Sequence, residues 1–181
     1  MVKKIALIAA AIIGVAVIAV LGMAATKPDQ LHVERSALIS APPAKIFPIV
    51  NDLHRWTEWS PYEAKDPKMK RTYSGADKGK GAIYGWEGND EVGSGRMEIA
   101  EATEPSKIGI NLHFIKPFEG DNLAEFTFVP EGHATKVTWG MTGESPFMCK
   151  VMQVFMNMDD MCGNDFAKGL AKLKTVVEKA P

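Results

Sequence analysis

From Ile5 to Ala25 the chain carries 21 consecutive residues without a charged or polar side chain. As a helix rising about 1.5 Å per residue, that run spans about 30 Å, the hydrocarbon thickness of a bilayer. Its length and lack of charge argue against a buried helix of a globular core. Lys3 and Lys4 precede it, which keeps the N-terminus cytoplasmic and sends the remainder across. A cleavable signal has an apolar core of only about 7–15 residues, so the length favours an uncleaved single-pass anchor. Gly22-Met23-Ala24 and Ala24-Ala25 nevertheless offer small residues where a signal peptidase could cut, leaving a secreted domain. Both routes place the rest of the chain outside the cytoplasm, in the periplasm if the organism is bacterial. The expected organisation is residues 1–25 as anchor or signal segment, 26–30 as a short polar linker, and 31–181 as one soluble domain.

That domain is mildly acidic. Without Lys3 and Lys4 it holds 19 basic and 22 acidic side chains. This balance lacks the basic footprint of a general nucleic-acid binder, so no nucleic-acid partner is expected. A hydrophobic fraction of 46% over the whole chain supplies a real core. Cys149 and Cys162 are too few for a disulfide framework or a four-thiolate zinc site. On one straight helix they would stand about 20 Å apart, beyond disulfide reach, and they read as small core hydrophobes.

Leu31–Ile39 reads as a first strand. Ser40-Ala41-Pro42-Pro43 then opens a short helix bearing Ile46, Phe47 and Val50. A second short helix carries Leu53, Trp56 and Trp59 and stops at Ser60-Pro61. The period then changes to two. Tyr84 and Trp86, Met97 and Ile99, Ile108 through Phe114, Ala124 through Phe128, and Val137 through Met141 each alternate with polar or small neighbours. Glycine-rich turns separate these five segments, so hairpins and an antiparallel sheet are expected. From about Pro146 to Glu178, apolar residues from Phe147 to Val177 recur at three- and four-residue steps, predicting one long helix. A sheet with one apolar face must cover it, and that helix is the only element large enough. The fold class is α+β: a curved antiparallel sheet around a long C-terminal helix, preceded by a transmembrane helix.

Particular runs carry a family likeness. Val33-Glu34-Arg35-Ser36, then Ile39 through Phe47 and Val50-Asn51-Asp52-Leu53, resemble the opening of the START-like (SRPBCC) superfamily. Trp56-Thr57-Glu58-Trp59-Ser60-Pro61-Tyr62 resembles the tryptophan-rich segment of its polyketide cyclase/dehydrase-type members. Thr135 through Trp139 and the terminal helix match the end of the same pattern. The resemblance covers residues 31–178 and implies a helix-grip fold with an apolar tunnel between sheet and helix. Its members include lipid-transfer domains, hydrophobic-ligand binders, aromatic cyclases and chaperone-associated modules, and no universal catalytic motif maps onto this chain.

The candidate ligand-binding residues are therefore Trp56, Trp59, Tyr84, Trp86, Ile110, Leu112, Phe126, Trp139, Met148, Met152 and Phe155. An apolar lining with few polar contacts suits a hydrophobic small molecule or lipid, and methionines adapt to several shapes. Each of these residues could equally fill a closed core. Trp56, Trp59 and Tyr62 read either as a gate at the tunnel mouth, facing Ile115-Lys116-Pro117-Phe118, or as pins holding a short helix to the sheet. No metal or cofactor is expected, since His32, His54, His113 and His133 lie in separate segments without ligand spacing. No catalytic constellation is found. Asp159 and Asp160 are adjacent, so on a helix they point apart and read as a solvated face. Three functions stay open: a membrane-tethered binding domain, a cyclase-like enzyme using Tyr84 with a second acid or base, and an envelope interaction domain with a filled core.

Overall fold

The computed structural model describes residues 2–179; Ala180 and Pro181, which the domain expectation included, and Met1 lie outside the described residues. A long apolar helix, α1 (Val2–Ala25), leads into β1 (Gln30–Ile39). Next come α2 (Pro43–Val50), a 3-10 turn (Leu53–Glu58) and α3 (Pro61–Lys65). Six more strands follow: β2 (Lys70–Gly75), β3 (Ala82–Glu87), β4 (Ser94–Thr103), β5 (Lys107–Lys116), β6 (Gly120–Glu131) and β7 (Ala134–Glu144). Helices α4 (Phe147–Phe155) and α5 (Met158–Lys179) close the chain.

The strands form one antiparallel sheet in the order β1-β7-β6-β5-β4-β3-β2. Consecutive strands pair as hairpins, and β1 returns to the far edge against β7. Register shifts at Ser94/Gly95 and Ile99/Glu101 bend β4, since an unpaired residue sharpens local twist. The dry face carries Val33, Tyr84, Met97, Ile99, Ile108, Ile110, Ala124, Phe126, Phe128, Val137, Trp139 and Met141, all buried. Helix α5 covers that face through Phe166, Leu170, Leu173 and Val177. The five alternating segments and the helix-in-sheet arrangement follow the sequence expectation.

Three expectations need correction. The sheet has a further strand, β2. Five of its six residues are exposed, so no dry face marks it in the sequence. The short helix through Trp56 does stop before Ser60-Pro61, but a further helix, α3, begins there with Pro61 in its first turn, where its missing N–H costs nothing. The long terminal helix is two helices. Met156 is extended, and the Asn157 side-chain oxygen accepts from the amides of Asp159 (3.1 Å) and Asp160 (3.4 Å), capping α5. Apolar spacing runs through this break and conceals it. Cys149 and Cys162 thus belong to different helices, and both are free and half-buried.

Asp159 is not simply a solvated residue. Its carboxylate accepts from Arg35 Nη1 and Nη2, at 3.0 and 2.9 Å, tying α5 to β1. The Arg35 donors hold its carboxyl below the usual carboxylate range.

Candidate functional site

An aromatic cluster anchors the first short elements to the sheet and α5. Trp139 stacks on Phe166 with ring centres 4.1 Å apart and on Phe126 at 5.0 Å. Trp56 and Trp59 meet Phe126 and Trp139 edge-on. Such contacts add about 0.5–1.5 kcal/mol per pair beyond burial. The Trp56 indole also donates to the Val50 carbonyl at 2.9 Å. Trp56 and Trp59 are buried and hold the helical segment against the sheet. Ile115, near the end of β5, and Phe118, in the β5–β6 turn, are exposed.

Beside this cluster lies a cavity of about 110 Å³. Its walls come from the half of the sheet nearest the β3–β4 and β5–β6 turns. Tyr84, Trp86, Leu112, Phe114 and Met141 belong to that half, while Ile110, Ala124 and Trp139 form its inner end. Trp56, Ser60, Tyr62 and Glu63 close it from the helical segment, and Phe166 from α5. Of the sequence candidates, Trp56, Tyr84, Trp86, Ile110, Leu112 and Trp139 thus come together. Trp59 and Phe126 are fully buried and are not among the lining residues.

Met148, Met152 and Phe155 also fall outside the lining. They sit on α4, which packs against α1, and Met148 and Phe155 are exposed. The helix break displaces them: had the terminal helix been continuous, its first turns would have lain over the sheet.

Glu63 is the charged side chain among the lining residues, and sequence reasoning missed it. It is held by Arg71, whose Nε donates to its carboxylate at 3.0 Å and whose Nη1 donates to the Met69 carbonyl. The Tyr84 hydroxyl lies 3.4 Å from the Glu63 carboxylate. Burial, reinforced by the Glu63 charge, pushes the Tyr84 phenol well above the usual tyrosine range. Tyr84 therefore stays protonated at neutral pH and acts as a donor, not a base. Burial raises Tyr62 in the same way. The Trp139 indole N–H is buried without an acceptor among the described residues. The described residues hold no group of three His, Cys, Asp or Glu able to bind a metal ion.

The architecture is that of the helix-grip proteins. Protein MLL2253 from Mesorhizobium loti superimposes with a TM-score of 0.61 at 16% identity, covering 83% of this chain and 99% of that one. Protein CV1439 from Chromobacterium violaceum gives a TM-score of 0.59 at 15% identity, covering 85% and 100%. The Aha1 dimer from Colwellia psychrerythraea gives 0.59 at 14% identity, covering 82% and 97%. Comparison with curated proteins gives no match. Residues 30–178 match the model of the polyketide cyclase / dehydrase and lipid transport family, and the chain belongs to that family.

Proposed function

We propose that this protein is a membrane-tethered binding domain for an apolar small molecule of about one ring or a short alkyl segment. The observation that carries this reading is the cavity itself, walled by aromatic and aliphatic side chains with Tyr84 and Glu63 as polar handles. A dry cavity of about 150 Å³ accepts a benzene-sized guest, whereas sites for drug-sized ligands run from about 300 Å³. At about 110 Å³ the cavity suits the smaller class. The Trp139 N–H favours a ligand bearing an oxygen acceptor, because an unmet buried donor costs about 1–3 kcal/mol. Helix α1, 24 residues long and apolar throughout its central stretch, supports the tether.

Glu63 favours a second reading, a cyclase-like enzyme in which its carboxylate accepts a proton while Tyr84 donates to a substrate carbonyl. Both Glu63 carboxylate oxygens already accept from Arg71, so binding is the better-supported function.

Native mass spectrometry of the full chain released from detergent micelles tests the proposal. A reproducible adduct, lost in Ala124→Phe, which fills the cavity from β6, supports binding. A clean protein mass, with no apolar compound in an organic extract, overturns it. Turnover of an aromatic polyketide analogue that disappears in Glu63→Gln would instead favour the enzyme.

A further inference from the structure

The polarity of α4 is inverted relative to an ordinary surface helix. Its two polar side chains turn toward the protein. Lys150, only 12% exposed, pairs with Asp29, and the Gln153 amide donates to the Ser145 hydroxyl at 2.7 Å. Three large apolar side chains face outward, Phe147 at 51% exposed, Met148 at 60% and Phe155 at 71%, while Val151, Met152 and Val154 are half-buried. No residue of α4 is buried. A soluble domain gains nothing from this arrangement, since each such side chain forgoes about 1.5–3 kcal/mol of burial.

The place of α4 supplies the reason. It packs against α1, and the residue it pairs with, Asp29, follows closely on the end of that helix. All the neighbouring connections belong to the same end of the sheet. There β1 begins, β7 ends at Glu144, and the β5–β6 and β3–β4 turns fall. The end of β5 and the turn after it add two more outward apolar side chains, Ile115 and Phe118. This end is also where Trp86, Val92 and Phe114, half-buried, form the margin of the cavity.

We infer that α4 and the β5–β6 turn lie in the interfacial layer of the bilayer that α1 crosses, holding the cavity margin against lipid. The inference rests on the reading of α1 as a membrane anchor. Its occupant is a phospholipid surface, recognised through apolar side chains, because charges near this rim are mixed and lean acidic: Lys27 and Lys116 beside Asp29, Asp90, Glu91 and Glu119. Zwitterionic lipid is therefore sufficient, and anionic lipid is not required.

The test uses the full chain in phosphatidylcholine proteoliposomes, in a Cys149→Ala/Cys162→Ala background. Single nitroxide labels are placed at Phe118 and Phe155, at Val15 within α1, and at Glu131 on the opposite end of the sheet. Power saturation then compares accessibility to oxygen and to a water-soluble nickel chelate. The expected oxygen-to-nickel ratio at 118 and 155 exceeds that at 131 several-fold and falls below that at 15. Values at 118 and 155 equal to that at 131, with 15 in lipid, overturn the rim and leave the anchor standing. A water-like value at 15 removes the anchor and the rim together. Phe155→Trp, with both cysteines retained, gives an independent reading. Brominated phosphatidylcholine should quench it beyond the wild-type chain, and equal quenching overturns the inference.

Discussion

The Tyr84 hydroxyl on β3 lies 3.4 Å from the Glu63 carboxylate on α3, and Arg71 on β2 grips that same carboxylate. Three elements thus meet at the polar corner of an otherwise apolar cavity. The ion pair fixes Glu63, and Glu63 in turn orients the phenol.

Removing the phenol isolates its contribution to binding. Tyr84→Phe should weaken ligand affinity about 5–10-fold, equivalent to about 1–1.4 kcal/mol for one hydrogen bond. The fold should hold, because Arg71 still satisfies Glu63. Titration of the purified ligand against both proteins, alongside their melting curves, checks both statements. Unchanged affinity would place the ligand away from this corner.

Removing the arginine has the opposite signature. Arg71→Ala leaves Glu63, 11% exposed, without its cation. Breaking a buried pair costs about 3–5 kcal/mol, and the partial exposure here lowers the expectation to about 2–3 kcal/mol. A shift of about 2–4 °C in Tm accompanies each kcal/mol in a domain of this size. Glu63→Gln combined with Arg71→Ala should recover part of the loss, because the uncompensated charge is gone.

Much of this corner was hidden for one reason. Half-buried strands such as Lys107–Lys116 announce themselves by alternation, since one face is dry. Strand β2 is an edge strand wet on both faces, and without it Arg71 has no place in the fold. Register then sets Arg71 opposite Trp86 and Tyr73 opposite Tyr84, which no spacing motif records. The terminal helix misled in the other direction. Its apolar period continues through Met156 and Asn157, and the Asn157 cap is a single polar residue within it. Asn157 two residues before the Asp159-Asp160 pair was the available signal, as a cap followed by an acidic first turn.

The buried phenols make stability fall in alkali. Tyr62 and Tyr84 both titrate above the ordinary tyrosine value of about 10 in the folded chain. Above that pH the unfolded chain loses these protons while the native chain keeps them. The contribution of these phenols is therefore full below pH 10 and declines as pH rises toward the native values, by at most about 1.4 kcal/mol per pH unit for each. Urea unfolding between pH 8.5 and 11 should show the decline. Tyr84→Phe should flatten part of it, since burial also raises Tyr73 and Cys162, and an unchanged slope would show that Tyr84 is not desolvated.

Two glycines of α5 should respond differently to alanine. At Gly163 a Cβ would first meet the Arg35 guanidinium, 2.1 Å away, which is the mobile end of a long side chain. The gain of about 1 kcal/mol in helix propensity then offsets a displaced Arg35–Asp159 pair, and Gly163→Ala should change stability by less than about 1 kcal/mol. At Gly169 the Cβ would meet Trp139 at 2.8 Å and Pro61 at 3.0 Å. Neither ring can yield: Trp139 is stacked on Phe166, and Pro61 begins α3. Gly169→Ala should therefore cost about 1–3 kcal/mol by overpacking and push Trp139 toward the cavity. Denaturant midpoints measure the first effect, and a matching loss of ligand affinity in Gly169→Ala, absent from Gly163→Ala, measures the second. Equal behaviour of the two variants would mean that α5 shifts as a body and does not clamp Trp139.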